Sequence, residues 1–324
     1  MADRFSTQLL DPRSSPEWDE FIDRADQGTV FHSTSWLTAW AAEVSILVIR
    51  DRDGAIAGGL PLVRRPIGWY LAYRLPPLCP YAGIVLGPPL SAKLVTQHAE
   101  QKEKALALLD GIPEAAMVRF PLHHSNRDTQ PYQWRNYKVT VSSTYVIDAG
   151  AQIHEVRGAI DAKQRNIVRK AEEHGLSVWT TDDIDQFLPL NRMTFERQGL
   201  APRLTDDRYR QLWSRAARAK GTIYLSGKFP NAHAGAVVVH DRRCSYLLMS
   251  GGDPATRSLG GGSLILWRAI GDALAQGRSF DFEGSSLPGV EQFYRSWGGR
   301  LVPIFHAEQV NSWPLRILRS WQQS

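Results

Sequence analysis

Apolar residues recur along this chain in two patterns: short alternating or continuous runs, which predict strands, and longer segments with helical spacing. Strands are predicted at residues 45–50, 55–63, 116–121, 138–147, 176–180, 222–227, 233–240, 244–249, 279–283 and 300–310. Helices are predicted at residues 16–26, 91–110, 151–174, 184–199, 205–219, 262–276 and 289–297. Hairpins mixed with helices are typical of an α+β fold, here with mixed, mostly antiparallel sheets flanked by helices.

The same pattern indicates two halves of similar design. A polar, helix-forming segment, Ala151–His174, divides the chain, and we place a domain boundary just before it, which gives residues 1–148 and 149–324. Asp53–Val63 and Asn231–Val239 each have a turn that leads into a strand carrying Ala-Gly, and they lie about half a chain length apart. A length of 324 residues also favours about two domains.

Composition changes this picture little but excludes several classes of protein. Hydrophobic residues make up 43% and charged residues 22%, as in a folded globular protein, and the net charge of +5 is too small to indicate a nucleic-acid binder. The two cysteines, Cys79 and Cys244, form no C-x-x-C pair, which favours a reducing compartment. No apolar run approaches 18 residues and the N-terminus lacks a signal-peptide pattern, so we predict a cytoplasmic protein without a membrane span.

Signatures of several enzyme classes are missing from the sequence. It has no G-x-S-x-G elbow, no Walker loop, no HExxH and no cysteine cluster, so neither a serine hydrolase nor a metal site is predicted. His123 and His124 are adjacent and are expected on a surface loop.

A glycine-rich segment, Arg257-Ser-Leu-Gly-Gly-Gly-Ser263, follows one predicted strand and opens the helix predicted at 262–276. Glycines at the N-terminus of a helix let backbone N–H groups approach an anion, and the helix dipole adds about half an elementary positive charge. Taken alone, the glycines fit either a flexible loop before a helix or a pyrophosphate site.

The spacing Arg-x-x-Gly-x-Gly between a strand and a helix resembles the acyl-CoA pyrophosphate loop of the GNAT N-acyltransferase superfamily. Arg257, Gly260 and Gly262 occupy its fixed positions. The resemblance implies that Arg257, together with Gly260, Gly261, Gly262 and Ser263, binds the pyrophosphate of acyl-CoA. The donor is then a substrate, and no permanently bound cofactor is expected.

A second motif lies downstream of this loop. Gly289–Gly299, with the sequence GVEQFYRSWGG, resembles the GNAT helix that carries Tyr-x-x-x-Gly, and Tyr294 and Gly298 match its tyrosine and glycine. The resemblance implies that Tyr294 donates a proton to the leaving thiolate. The alternative is a tyrosine on the core face of the helix. Arg295, on the same helix, is a further candidate for contact with substrate.

Nearly the whole chain resembles the two-lobed Fem-type branch of this superfamily. The matching segments are Phe31–Trp36, Arg165–Gly175 and Thr194–Arg197. The resemblance implies two tandem GNAT-like lobes, a degenerate one on the acceptor side (1–148) and one with the donor site (149–324), with the acceptor in the cleft between them. It also makes Arg197 a candidate contact with an anionic acceptor. Trp36 is one of eleven tryptophans in the chain and either lines an acceptor groove or packs in the core.

This chain also departs from the Fem-type ligases. Tyr294 stands where they usually carry a lysine, no lysine follows Trp36 within Leu37–Ala42, and the helical arm that some of them insert is missing. These departures weaken an assignment to the peptidoglycan-precursor ligases. They do not affect the expectation of an acyltransferase.

Two carboxylates are candidates for a general base. An amine with a pKa of ~10.4 is mostly protonated at pH 7, and the neutral form costs about 4.6 kcal/mol, which a base must offset. In the strand predicted at 279–283, Asp281 and Glu283 alternate with Phe280 and Phe282, so both acids are expected on one face, with Glu283 the first candidate. Alternatively, either acid caps the next helix or pairs with a nearby arginine.

Three functions stay open at this point. The first is acyl transfer from acyl-CoA to an amine of a small molecule or a cell-wall precursor. The second is aminoacyl transfer from aminoacyl-tRNA, in which Arg165 and Arg169, spaced i,i+4 on a basic helix, contact phosphates rather than forming a solvated face. The third is a GNAT-like scaffold that binds without catalysing. Sequence does not indicate the oligomeric state or the identity of the acceptor.

Overall fold

The computed structural model describes residues 5–40, 43–202 and 204–317. The chain divides into two compact units, one made of Met1–Ser142 and Pro303–Ser324 and the other of Ser143–Val302. The sequence pattern places all residues after 148 in the second lobe, whereas Pro303 and the residues after it belong to the first unit. The reason is a long-range pairing, in which the last strand joins Met117–Pro121.

The predicted α+β class is confirmed, and each predicted strand is present. The strands are β1 (Ser6–Leu10), β2 (Val44–Arg50), β3 (Ile56–Val63), β4 (Ala72–Arg74), β5 (Val85–Leu86), β6 (Met117–Pro121), β7 (Lys138–Ile147), β8 (Ser177–Thr181), β9 (Gly221–Lys228), β10 (Asn231–His240), β11 (Cys244–Gly252), β12 (Ser279–Asp281) and β13 (Arg300–Val310). The helices are α1 (Pro16–Arg24), α2 (Thr34–Thr38), α3 (Leu94–Asp110), α4 (Gln130–Trp134), α5 (Ile153–Ala159), α6 (Ala162–Glu173), α7 (Leu188–Arg197), α8 (Asp206–Leu212), α9 (Gly261–Ala275) and α10 (Pro288–Arg295).

One predicted helix is broken in the structure. Residues 151–174 form α5 and α6 rather than a single helix, because Ile160 is extended and the side chain of Asp161 caps α6 by accepting a hydrogen bond from the N–H of Lys163. The break turns α6 so that Gln164, Val168 and Ala171 are buried.

The first unit contains antiparallel strands in the order β1-β2-β3-β5, and β6 pairs parallel with β4 and antiparallel with β13. Helix α3 packs on β2 and β3 through an apolar side that includes Ala105, Leu108 and Leu109. His123 is buried against the ring of Tyr81 rather than on the surface as expected, because the loop that carries the two histidines folds back onto this aromatic core.

A buried ion pair lies beside this core. Lys104 Nζ is 2.8 Å from Glu100 Oε1 on the same face of α3, and the two side chains are 4% and 2% exposed. The Lys104 ammonium also donates to the carbonyls of Gly87 and Pro88, and the Glu100 carboxylate accepts from the N–H of Leu90. The pair therefore ties the proline-rich loop to α3.

The second unit has strands in the order β12-β11-β10-β9-β8, with the end of β7 antiparallel to β12. All of these neighbours are antiparallel except β11 and β12, which run parallel. Helix α9 packs on the sheet and against α6, and its core includes the fully buried Phe280, Phe282 and Trp297.

Strands β11 and β12 separate part-way along their length. Their pairing ends at Tyr246 and Asp281, but β11 continues to Gly252. A bulge in β11 lies just beyond the last pair, since Val237 pairs with Met249 and Val238 with Leu247. Beyond Tyr246, β11 therefore has no pairing with β12. Nearer its end, α7 contacts the strand: the N–H of Gly252 donates to Thr194 Oγ1 at 3.0 Å, and Asn191 Nδ2 donates to the Ser250 carbonyl at 3.5 Å.

Candidate active site

A pocket of about 390 Å³ lies where β11 separates from β12 and α9 begins. Its walls come from α6, α7, β10, β11, α9 and α10, all within the second unit. The residues predicted from sequence that line it are Arg197, Arg257, Gly260, Gly261, Gly262, Ser263 and Tyr294. Side chains that are far apart in the sequence thus meet in one cavity.

One end of the pocket is built to receive an anion. Helix α9 begins at Gly261, and its first internal hydrogen bond runs from the N–H of Leu264 to the carbonyl of Gly260 at 3.0 Å. The N–H groups of Gly261, Gly262 and Ser263 therefore have no acceptor inside the helix, and Gly260 has no side chain with which to cap them. These N–H groups and the positive end of the helix dipole favour a phosphate.

Two arginines that line the pocket add positive charge to it. Arg257, in the short turn before Gly260, and Arg197, at the end of α7, are both exposed and line the pocket. Within the described ranges neither makes an ion pair with a carboxylate, unlike Arg169 or Arg210. The lining acid Asp253 has its carboxylate directed to the N–H of Ala255 at 2.9 Å.

The three glycines of the loop are not equivalent. Gly260 has φ +83°, and a Cβ there would lie 2.8 Å from Ile167 Cγ2 and 3.1 Å from the Ile167 carbonyl oxygen. A Cβ at Gly262 would meet nothing within 4 Å. Only Gly260 is required by the fold, since it combines a left-handed backbone with close packing against α6.

Gly260→Ala is expected to lower the free energy of unfolding by about 1–3 kcal/mol, because alanine is strained at this backbone angle and pushes against Ile167. Gly262→Ala is expected to be neutral or stabilising by up to ~1 kcal/mol, because it adds helix propensity in open space. Thermal and denaturant unfolding of both variants measures the difference. Equal stability of the two variants would contradict the role of Gly260.

Tyr294 lines the pocket from α10. Its ring packs on Phe282 at 5.3 Å and on Phe293 at 6.0 Å between centroids. Burial, and secondarily the negative charge of Glu283, raise the pKa of Tyr294 to about 12. The phenol is therefore protonated at neutral pH and is available as a hydrogen-bond donor.

The two candidate carboxylates do not share a face. Strand β12 ends at Asp281, so the alternation predicted through Glu283 does not continue that far. Asp281 is fully buried, and its Oδ1 accepts from Thr144 Oγ1 at 2.6 Å and from the N–H of Glu283 at 2.7 Å. Asp281 does not line the pocket and holds the turn after β12.

Glu283 lies in this turn with an unusual backbone. Its φ is +58° and that of Gly284 is +67°, and a Cβ at Gly284 would lie 2.1 Å from the Ser143 carbonyl oxygen. A left-handed glutamate is uncommon, and such conformations concentrate at functional sites. Glu283 is half-buried and does not itself line the pocket. Its neighbour Phe282 packs on the ring of Tyr294, and the charge of Glu283 contributes, after burial, to the raised pKa of Tyr294.

Other residues predicted from the sequence lie outside this pocket. Trp36, in the first unit, is fully buried and packs edge-on against Phe31 at 5.1 Å. Arg295 is exposed and pairs with Glu291 at 3.1 Å. Their predicted substrate contacts stay predictions.

The basic helix α6 uses its arginines locally. Arg165 donates to the carbonyls of Arg157, Gly158 and Ile160, which closes the C-terminal end of α5. Arg169 pairs with Glu173 one turn along the helix. The solvated-face alternative thus describes Arg169, and Arg165 has a structural partner.

Two pocket residues gave no clear sequence signal. His233 is the extra residue of a bulge in β10, between Ala232 and Ala234, and its Nδ1 is buried without a hydrogen-bond partner. Gln164 projects from α6 and is 4% exposed. Its position four residues before Val168 and seven before Ala171 is the helical spacing of a buried face, and this periodicity was the available clue.

Within the described residues, no group of three or more His, Cys, Asp or Glu side chains is arranged to hold a metal ion. No helix there is long and apolar enough to cross a membrane.

Residues 159–295 match the family model described as the acetyltransferase (GNAT) domain. Residues 159–295 therefore belong to the GNAT superfamily. The GNAT domain contains every residue that lines the pocket, from Gln164 to Tyr294. The resemblance drawn from the Arg257 loop and the Tyr294 segment is confirmed at this level. The match supports a transferase.

Solved structures similar to this chain extend the comparison beyond the GNAT domain. FemX is 14% identical with a TM-score of 0.71, covering 97% of this chain and 99% of its own. L-PGS from Bacillus licheniformis is 11% identical with a TM-score of 0.52, covering 96% of each chain. A tandem GNAT protein from the clavulanic acid biosynthesis pathway is 11% identical with a TM-score of 0.51, covering 94% of this chain and 98% of its own.

At these identities the likeness shows a shared fold over nearly the whole chain, that of FemX and of a tandem GNAT protein. The predicted two-lobed, Fem-like GNAT fold is thereby confirmed. No curated protein sequence matches the chain.

Proposed function

We propose that this protein transfers an acyl group from acyl-CoA to an amine. The observation that carries the proposal is the composition of one pocket, which is lined by two arginines, by the N-terminal end of α9 and by Tyr294. The arginines and the N-terminal end of α9 can bind the pyrophosphate of CoA, and Tyr294 can donate a proton to the leaving thiolate. The two cysteines, Cys79 and Cys244, are both buried and support a reducing, cytoplasmic setting.

The reaction forms a C–N bond and breaks a C–S bond. The neutral amine attacks the thioester carbonyl. The proton that the nitrogen loses passes through an intervening water to Glu283, which does not line the pocket itself. The oxyanion accepts a hydrogen bond from a backbone N–H of β11 beyond Tyr246. Tyr294 then donates its proton to the departing thiolate.

The two proton transfers are coupled in this scheme. The thiol has a pKa of ~8.5, so a tyrosine with a pKa of about 12 is a weak donor to its thiolate. Protonation of Glu283 removes the negative charge that, after burial, contributes to the raised pKa of Tyr294. Accepting the first proton therefore makes the second transfer easier.

A second candidate donor is aminoacyl-tRNA, as the Fem-type resemblance implies. The observation that favours it is the likeness of the fold to FemX over 97% of this chain. The Arg-x-x-Gly-x-Gly loop and Tyr294 favour CoA instead. For both donors the acceptor is an amine, from a small molecule or a cell-wall precursor.

Titration calorimetry with CoA and acetyl-CoA tests the donor. We expect micromolar binding, about −8 kcal/mol, to the wild type. Arg257→Ala is expected to weaken it by about 10–100-fold, because a charge-assisted contact is lost. Arg242→Ala removes an exposed arginine that does not line the pocket and is expected to bind as the wild type does.

Absence of CoA binding to the wild type would reject the first donor. Charged tRNA is then the probe, and binding that weakens as salt is raised would mark phosphate contacts. Equal losses in Arg257→Ala and Arg242→Ala would indicate a general charge effect rather than a site at Arg257.

A further inference from the structure

Gln164 is a buried polar side chain that the mechanism above does not use. It projects from α6 into the wall of the pocket and is 4% exposed. Its carboxamide Nε2 is buried and has no hydrogen-bond partner in the protein. A buried donor without an acceptor costs free energy, and native proteins retain few of them. A ligand that supplies the acceptor explains why this one is kept.

The course of α6 places Gln164 between the two ends of the pocket. Three residues before it, the N–H of Asp161 donates to the carbonyl of Ser296, just after α10, at 2.8 Å. Three residues after it, Ile167 packs against Gly260 at the start of α9. Since a helix rises about 1.5 Å per residue, Gln164 lies about 4.5 Å along the helix axis from each of these contacts. It is thus midway between the anion end and the helix of Tyr294.

The neighbouring walls of the pocket are mostly apolar. Ile167, Val290 and Phe293 contribute hydrocarbon surface, which holds a chain without fixing its register. A single amide donor among these apolar side chains favours a ligand whose chain carries a hydrogen-bond acceptor at the position of Gln164. The pantetheine arm of CoA has this chemistry, because it is a flexible chain interrupted by amide carbonyls and joins the pyrophosphate to the thioester.

We propose that Gln164 recognises the pantetheine arm of acyl-CoA by donating a hydrogen bond from Nε2 to one of its carbonyl oxygens. This inference rests on the proposed CoA donor and adds a binding residue between Arg257 and Tyr294. Gln164 sets how far the arm extends toward Tyr294. It takes no part in proton transfer.

The test compares two ligands and two variants by calorimetry. CoA carries the arm, and adenosine 3′,5′-bisphosphate carries the nucleotide without it. Gln164→Met keeps the length of the side chain and removes the donor. Ser226→Ala is the matched control, because Ser226 is also fully buried with an unpartnered Oγ but does not line the pocket.

Gln164→Met is expected to bind CoA about tenfold more weakly than the wild type and to bind adenosine 3′,5′-bisphosphate equally well. Its melting temperature is expected to equal or exceed that of the wild type, since the orphan amide is gone. Ser226→Ala is expected to leave the affinity for CoA unchanged.

Three outcomes would overturn the inference. Unchanged CoA affinity in Gln164→Met would show that Gln164 does not contact CoA. An equal loss of affinity for both ligands would show that Gln164 contacts the nucleotide rather than the arm. A lower melting temperature with loss of both ligands indicates a structural amide. These results leave the CoA donor standing as long as the wild type binds CoA, whereas a wild type that does not bind CoA rejects the donor together with this inference.

Discussion

Replacement of Tyr294 by phenylalanine is expected to lower kcat for acyl transfer by about 10²–10³-fold, the range for loss of a general acid, while CoA affinity changes by less than about threefold. Phenylalanine preserves the ring contacts with Phe282 and Phe293 and deletes only the hydroxyl. Steady-state kinetics and calorimetry on the same preparation measure the two effects. A variant that keeps wild-type kcat would remove Tyr294 from the mechanism.

The pH dependence gives a second readout of the same residue. An acid must be protonated, so its contribution is lost as pH rises through its pKa, which for Tyr294 is about 12. Burial is the main cause of this raised pKa and the charge of Glu283 the second. In Glu283→Gln only the second is gone, so the loss of the remaining activity at high pH is expected to begin at a slightly lower pH than in the wild type. Tyr224→Phe deletes a hydroxyl bonded to Asp272 outside the pocket and serves as the control.

Lys104→Met is expected to lower the free energy of unfolding of the first unit by about 3–5 kcal/mol, because it leaves the Glu100 carboxylate buried without its countercharge. The side chain of Glu100 is 2% exposed, so water cannot replace the ammonium. The carbonyls of Gly87 and Pro88 also lose their donor. Denaturant unfolding measures the change.

The double variant Glu100→Gln, Lys104→Met separates the charge from the packing. The amide can still accept from the N–H of Leu90, and no buried charge remains, so the double variant is expected to be more stable than Lys104→Met alone. If the free energy of unfolding falls in the double variant by the sum of the losses in Glu100→Gln and Lys104→Met, the two charges do not interact. Asp110→Asn, at an exposed ion pair with Arg135, should change stability by less than about 1 kcal/mol.

Local patterns accounted for much of the fold. Strands β9, β10 and β11 are each long enough for their apolar runs to be read directly, and the loop before α9 combined glycines with a helix start. These signals are local because side-chain period and backbone freedom depend on near neighbours. Strand β4, with three residues, was not predicted, because so short a segment has no period.

The candidate carboxylates illustrate where local pattern failed. Alternation through Phe280–Glu283 holds only while the backbone stays extended, and the left-handed φ of Glu283 ends it. Asp281 was assigned to the cleft, yet Thr144, on β7, holds it in the core. That pairing joins residues far apart in the chain, and composition does not reveal it.

By itself, the sequence determined the α+β class, the position of the Arg257 loop at a helix start, and the tyrosine of α10 as a candidate acid. Only the tertiary structure decided that Gln164 and His233 reach the same pocket, that Trp36 is core, and that the last strand returns to the first unit. The physical reason is how far apart in the sequence the interacting residues lie. Helix starts and strand period depend on adjacent residues, whereas a buried polar atom is defined by what packs against it from elsewhere in the chain.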